Sequence, residues 1–135
     1  MSGEEVVTND DARADVDAIW RFLRDAYWSE GVTRETVARS LEGSLNFHLL
    51  LDGTQIGLAR VITDGATFAY LADVYVDPAH RGRGLGKRLV EEAIAHPSLA
   101  GLRRWLLLTA DAHGLYARFG FRPPARPERV MERLG

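Results

Sequence analysis

After residue 41 the apolar pattern of this chain shifts from helical to strand spacing, and that shift limits the folds open to it. Up to residue 41 the apolar residues recur at helical spacing. Val16, Ile19, Trp20, Leu23 and Tyr27 form one stripe, and Arg34 to Leu41 forms a second segment with Thr33 as its cap. Asp10, Asp11 and Asp15 precede the first stripe, where carboxylates accept from free N–H groups and favour the helix dipole, and "WSEG" ends it. From residue 45 the period shortens. "LNFHLLL", "QIGLARVIT" and "TFAYLADVYV" are strand-length runs separated by "DGT" and "DGA". Asp-Gly between such runs signals a hairpin, because both residues tolerate positive φ. The pattern predicts a three-stranded antiparallel meander over 45–76, with a short strand before it at Glu5–Thr8. Asp77-Pro78 stops the third strand, since proline cannot donate to a ladder and restricts the residue before it.

Beyond the meander, Leu85, Leu89, Val90, Ala93 and Ile94 share a helical face, and "HPSLAG" leads on to the strand pattern "RRWLLLTA". Strand, helix and strand of these lengths imply a right-handed crossover and a parallel pair. A short helix in "AHGLYARFG" and a last strand at Val130–Leu134 complete the expected order. The fold class is therefore α/β, a mixed, mostly antiparallel sheet flanked by helices and containing a β-α-β unit. No repeat or linker divides the 135 residues, so one domain is expected over 1–135.

Composition excludes several chemistries. The absence of cysteine removes disulfides and thiolate catalysis. The four histidines (His48, His80, His96, His113) lack metal-type spacing, so no metal is expected. No apolar run approaches the roughly 20 residues that span a bilayer, and the acidic start lacks the order of a signal peptide. A cytoplasmic location without a membrane partner is the expectation. Charge is unevenly placed: residues 1–78 hold 6 Lys/Arg and 14 Asp/Glu, whereas residues 79–135 hold 11 and 5. That division suits a cationic substrate and an anionic cofactor, and segregated surface charge would produce it equally well. A nucleic-acid partner is not expected, because the basic half carries no aromatic-basic recognition motif and is joined to an acidic half.

The most distinctive short stretch is "AHRGRGLGKRLVEEAI", residues 79–94. It is not a Walker loop, since Gly82 and Gly86 enclose three residues and Lys87 is followed by Arg88, with no hydroxyl for magnesium. It is not the dinucleotide fingerprint either, whose third glycine would fall at Lys87. What survives is a strand, a glycine-rich turn and a helix N-terminus. Gly82, Gly84 and Gly86 allow a bulky anion to approach the backbone, and Arg81, Arg83 and Lys87 add positive charge beside the dipole. A flexible turn with surface cations is the competing reading.

"VYVDPAHRGRGLGKRLV" resembles motif A of the GNAT superfamily of N-acetyltransferases, with Arg81, Gly84 and Gly86 at its defining positions. "HGLYARFGF" is similar to the motif that follows in that family, and the intervening helix and strand match as well. The resemblance covers nearly the whole chain. It implies a GNAT-like fold with acetyl-CoA bound across a β-α-β core, the pyrophosphate on the N–H groups of Gly82, Arg83, Gly84, Leu85, Gly86 and Lys87. It also implies that the pantetheine arm runs beside Val74, Tyr75 and Val76, where the flanking strands part. The N–H near Tyr75–Val76 would bind the oxyanion, and Tyr116 would donate a proton to the coenzyme thiolate.

The acceptor side is less well marked. Asp73 and Tyr75 alternate away from Val74 and Val76, so Asp73 is a candidate to hold an ammonium or relay its proton, with a structural hydrogen bond to the early helices as the alternative. Some amine-acetylating relatives carry an acidic pair here, and many relatives have an asparagine about two turns before the motif tyrosine. This chain has Ala72-Asp73 and Thr109, followed by Asp111 as an expected helix cap and a surface His113. By family analogy Tyr27, Trp28 and Glu30 in the loop after the first helix would meet the acceptor, although Tyr27 also continues the core stripe. The implied reaction is acetyl transfer to a primary amine of a small molecule or peptide, by direct attack in a ternary complex. A homodimer is a further family analogy. The alternative is a non-catalytic GNAT-like module that binds coenzyme A as a sensor or holds a protein partner.

Overall fold

In the computed structural model, which describes residues 3–135, five strands lie side by side in sequence order. They are β1 (Glu5–Thr8), β2 (Leu45–Leu51), β3 (Thr54–Thr63), β4 (Phe68–Val76) and β5 (Arg104–Leu107). The first four run antiparallel to their neighbours, and β4 and β5 are parallel. The expected meander and crossover are both present. Helices α1 (Val16–Asp25) and α2 (Arg34–Glu42) cover one face, where Ile19, Leu23, Val37 and Leu41 pack on Leu58. Helix α3 (Leu85–Ala95) covers the other, burying Leu85, Leu89, Val90 and Ala93 against Phe47, Leu49, Ile56, Ala59 and Val61. A short α4 (His113–Ala117) follows β5.

The two Asp-Gly signals resolve differently. Asp52 (φ 50°) and Gly53 (φ 83°) both take positive φ, as a type I′ hairpin requires. In the second hairpin only Gly65 does (φ 72°). There the Asp64 carboxylate accepts from the N–H groups of Ala66, Thr67 and Phe68 and from the Thr67 hydroxyl, closing a longer loop through its side chain. Those donors hold Asp64 well below the usual carboxylate range.

A bulge in β4 organises the site. Arg60 faces Asp73 and Val61 faces Leu71, leaving Ala72 as an extra residue. Ala69 and Leu71 point into the α3 core; after the bulge that place passes to Val74 and Val76. Asp73 and Tyr75 are thereby turned towards α1, where Tyr75 stacks on Phe22 with ring centroids 4.8 Å apart.

Two expectations are corrected. Val130–Leu134 forms no strand. Pro123, Pro124 and Pro127 lack N–H donors, the chain turns at Pro127–Arg129, and Val130, Met131 and Leu134 lie exposed. Nor does Tyr27 continue the core stripe: α1 ends at Asp25, and Tyr27 is 53% exposed.

Candidate active site

The parallel pairing of β4 with β5 stops at Leu71 and Leu107, while β4 continues to Val76. Beyond that point one side of β4 has no strand beside it. The Asp77 N–H bonds the Ile56 carbonyl on β3. Strand alternation then directs the main-chain groups of Tyr75 and Asp73 to β3 and those of Val74 and Val76 to the open side. Free N–H and C=O groups in a cleft need a partner, and an extended ligand arm supplies one.

The glycine turn closes the lower end of this opening. Gly82 (φ 83°) and Gly84 (φ 75°) occupy left-handed backbone, and Gly84 is the N-cap of α3 with no side chain capping it. The N–H groups of the first turn therefore face the cleft at the positive end of an 11-residue helix. A Cβ built at Gly86 meets nothing within 4 Å, so a ligand can approach the helix there. Arg81 lies across the opening: its Nε donates to the Val76 carbonyl at 2.8 Å, and its guanidinium sits 5.1 Å from the Tyr75 ring centroid.

Two adjoining hollows meet at Tyr27, Trp28, Val74, Asp111, Ala112 and Tyr116. The one over the glycine turn, about 440 Å³, is lined by Val74, Tyr75, Val76, Arg81, Gly82, Gly84, Leu85 and Gly86. The other, about 370 Å³, reaches Asp73, Arg60, Tyr70 and Ile62. Asp73 is buried at 4% exposure. Its Oδ2 accepts from Arg60 Nε at 2.6 Å and its Oδ1 from Trp28 Nε1 at 2.7 Å. The carboxylate thus holds Trp28 over the cleft while Arg60 balances its charge. Tyr27 ties the same loop to the segment after β5, since its hydroxyl accepts from the Ala110 N–H at 2.9 Å and reaches Asp111 Oδ1 at 3.5 Å.

Tyr116 stands on α4 at the junction of the hollows, its ring edge-on to Phe121 at 6.0 Å. Burial, then the neighbouring Tyr27 and Asp111, push its phenol up to about 12. The neutral phenol is favoured in the fold, so the linked stability is intact below the ordinary value of 10.0 and is lost as pH rises through about 12. In a phenolate absorbance titration, the wild type minus Tyr116→Phe difference should appear above about pH 11. A difference complete by pH 10 would contradict this environment.

Several expected residues lie elsewhere. Arg83 turns to β1, with Nη1 2.7 Å from Glu5 Oε1, and Lys87 faces Glu91 one turn on at 3.8 Å, so neither side chain lines the cleft. In each case a nearby carboxylate holds the cation. Glu30 is exposed and outside both hollows. Asp111 does not cap α4. That helix begins after Ala112 without a side-chain cap, and Thr109 Oγ1 accepts from the N–H groups of Asp111 and Ala112 instead. His113 is exposed. Sequence reasoning missed Arg60, Tyr70 and Phe22. Arg60 had a signal: it is the one cation in "QIGLARVIT", across a hairpin from the one acid in "TFAYLADVYV".

Comparison with known proteins bears on the family and the fold. A family model described as "Acetyltransferase (GNAT) family" matches residues 13–121. An assigned acetyltransferase from Gibberella zeae is 34% identical, covering 86% of this chain and 77% of its own. A solved Xanthomonas campestris protein assigned to the GNAT family superposes with a TM-score of 0.95 at 47% identity, covering 100% of this chain and 96% of that one. An aminoglycoside N-acetyltransferase in complex with coenzyme A shares the fold, with a TM-score of 0.72 at 17% identity over 100% of this chain and 97% of its own.

Proposed function

Because the chain belongs to the GNAT acetyltransferase family, we propose that it moves the acetyl group of acetyl-CoA to a primary amine of a small molecule or peptide, by direct attack in a ternary complex. One observation carries the reading: β4 and β5 part directly above an uncapped helix N-terminus, beside Tyr116. The N–H groups from Gly82 to Lys87 receive the pyrophosphate, with Arg81 supplying charge at the rim. Val74 bonds the pantetheine arm through its main chain, while the Val76 carbonyl is held by Arg81. The Val76 N–H, rather than that of Tyr75, stabilises the oxyanion, because Tyr75 spends its own on β3.

The acceptor amine enters from the opposite hollow, between Tyr27, Trp28 and the Asp73–Arg60 pair. Its neutral nitrogen forms the new C–N bond as the C–S bond breaks. Tyr116 gives its proton to the departing thiolate, and the proton lost by the amine leaves through water at the end of the cleft lined by Asp73 and Asp111.

Thiol release from acetyl-CoA, measured over a panel of small amines and peptides alongside direct coenzyme binding, tests this. Turnover with at least one primary amine is expected. Coenzyme binding without turnover on any acceptor would instead support the non-catalytic module, and absence of binding would remove the donor site. A sharper prediction concerns Gly86, where ordinary helical backbone and open space accept a side chain. Gly86→Glu puts a carboxylate where the pyrophosphate belongs, so the acetyl-CoA KM should rise by roughly tenfold or more with the melting temperature little changed. Unaltered coenzyme affinity would show that the phosphates bind elsewhere.

A further inference from the structure

A hollow of about 660 Å³ lies outside the cleft, along the outer side of β5. The Arg103 N–H bonds the Thr67 carbonyl, so alternation points Arg103, Trp105 and Leu107 at β4 and leaves the main-chain groups of Arg104 and Leu106 facing outwards. β5 is the last strand of the sheet, and no described segment pairs with that side. The far wall is formed by residues 121–126 and Arg129, and Pro123, Pro124 and Pro127 keep that run from completing a ladder. The floor is apolar, formed by Ile94, Trp105, Phe119 and Phe121.

Five arginines line this groove: Arg103, Arg104, Arg122, Arg126 and Arg129. All are exposed, no carboxylate lies among the lining residues, and none of the five forms an ion pair among the described residues. Arg24, Arg34, Arg60 and Arg83 each meet a carboxylate elsewhere in the fold; what distinguishes the groove is that five unpaired arginines gather around one hollow. A free strand edge, an apolar floor and unpaired guanidiniums on both walls describe one kind of occupant. We propose that this groove binds an acidic, extended polypeptide segment of another protein, taken up as an added strand on β5.

The free edge distinguishes the candidates. A strand uses the outward N–H and C=O groups of Arg104 and Leu106, and alternate carboxylates along it meet the arginines. A nucleic acid would satisfy the guanidiniums and leave that edge unpaired. A second copy docked through the same face would set arginine against arginine. One docked through its acidic half would make a contact that does not close.

The probe is a fluorescein-labelled octapeptide of alternating glutamate and valine, followed by anisotropy. Saturable binding that weakens steeply with salt is expected. Arg122→Glu/Arg126→Glu should weaken it at least about tenfold at unchanged melting temperature, and so should methylating alternate backbone nitrogens of the peptide. Equal binding of the methylated peptide would show charge attraction without strand addition, overturning the proposal. Tighter binding of an oligothymidylate of equal charge would assign the groove to nucleic acid instead. Sedimentation of the protein as a dimer that the double variant dissociates would give the groove to a second copy.

Discussion

Tyr116→Phe should lower kcat by roughly tenfold or more while leaving acetyl-CoA affinity within about twofold. The size follows from what the phenol is asked to do. Positioned proton donors commonly contribute about 10²- to 10⁴-fold. A thiolate with a pKa of about 8.5 leaves more readily than an alkoxide would, which sets this case at or below the lower end of that range. Burial that lifts the phenol to about 12 keeps it protonated wherever the acceptor amine is neutral, so Tyr116 itself should impose no alkaline limb on the rate below about pH 11. Phenylalanine keeps the ring against Phe121 and the hydrophobic wall shared by both hollows, so binding has no reason to fall. The measurement is single-turnover acetyl transfer, which isolates the chemical step from product release. An unchanged single-turnover rate would take Tyr116 out of the reaction.

How much of this was readable in the sequence depended on whether the signal was local. The meander, the crossover and the uncapped helix rest on period, Asp-Gly, Asp-Pro and glycine spacing, all of which act within a few residues, and the structure contains them. The bulge at Ala72 was not read from the sequence, because it shows only once the faces of β4 are known. The α3-facing residues of β4 run Ala69, Leu71, then Val74 and Val76, a step of three where a regular strand steps by two. Side-chain destinations were not readable. Arg83 and Lys87 stand beside the glycine turn in sequence, yet Glu5 and Glu91 capture them, and the first of those lies at the other end of the chain. Val130–Leu134 has strand-like character but finds no partner, because three prolines come before it. Asp73 was visible as an odd residue. That it secures Trp28 became apparent only when the α1–α2 loop was seen to fold over β4.

Arg60→Met should be the most destabilising single substitution at the site. It leaves the Asp73 carboxylate, 5% exposed, with the Trp28 indole as its remaining donor, and removing one partner of a buried pair typically costs about 3–5 kcal/mol. For a chain of this size that corresponds to a fall in melting temperature on the order of 10–20 °C. Asp73→Asn should cost less. Arg60 is 15% exposed and keeps its Nη1 bond to Ser44 Oγ at 3.1 Å, and an amide oxygen can still accept from Trp28. Arg60→Met/Asp73→Leu removes both charges together and should recover most of the loss, because an apolar pair of similar volume avoids the desolvation that the ion pair must offset. Thermal melts of these three variants settle the structural part: a loss below about 1 kcal/mol in Arg60→Met would mean that water reaches the carboxylate freely. The catalytic part follows from the double variant, whose fold is restored without the carboxylate. If its amine KM rises at least about tenfold, Asp73 serves the acceptor directly or through Trp28. If activity returns with stability, the pair serves only to hold the loop, and recognition of the amine rests on Tyr27, Tyr70 and Asp111.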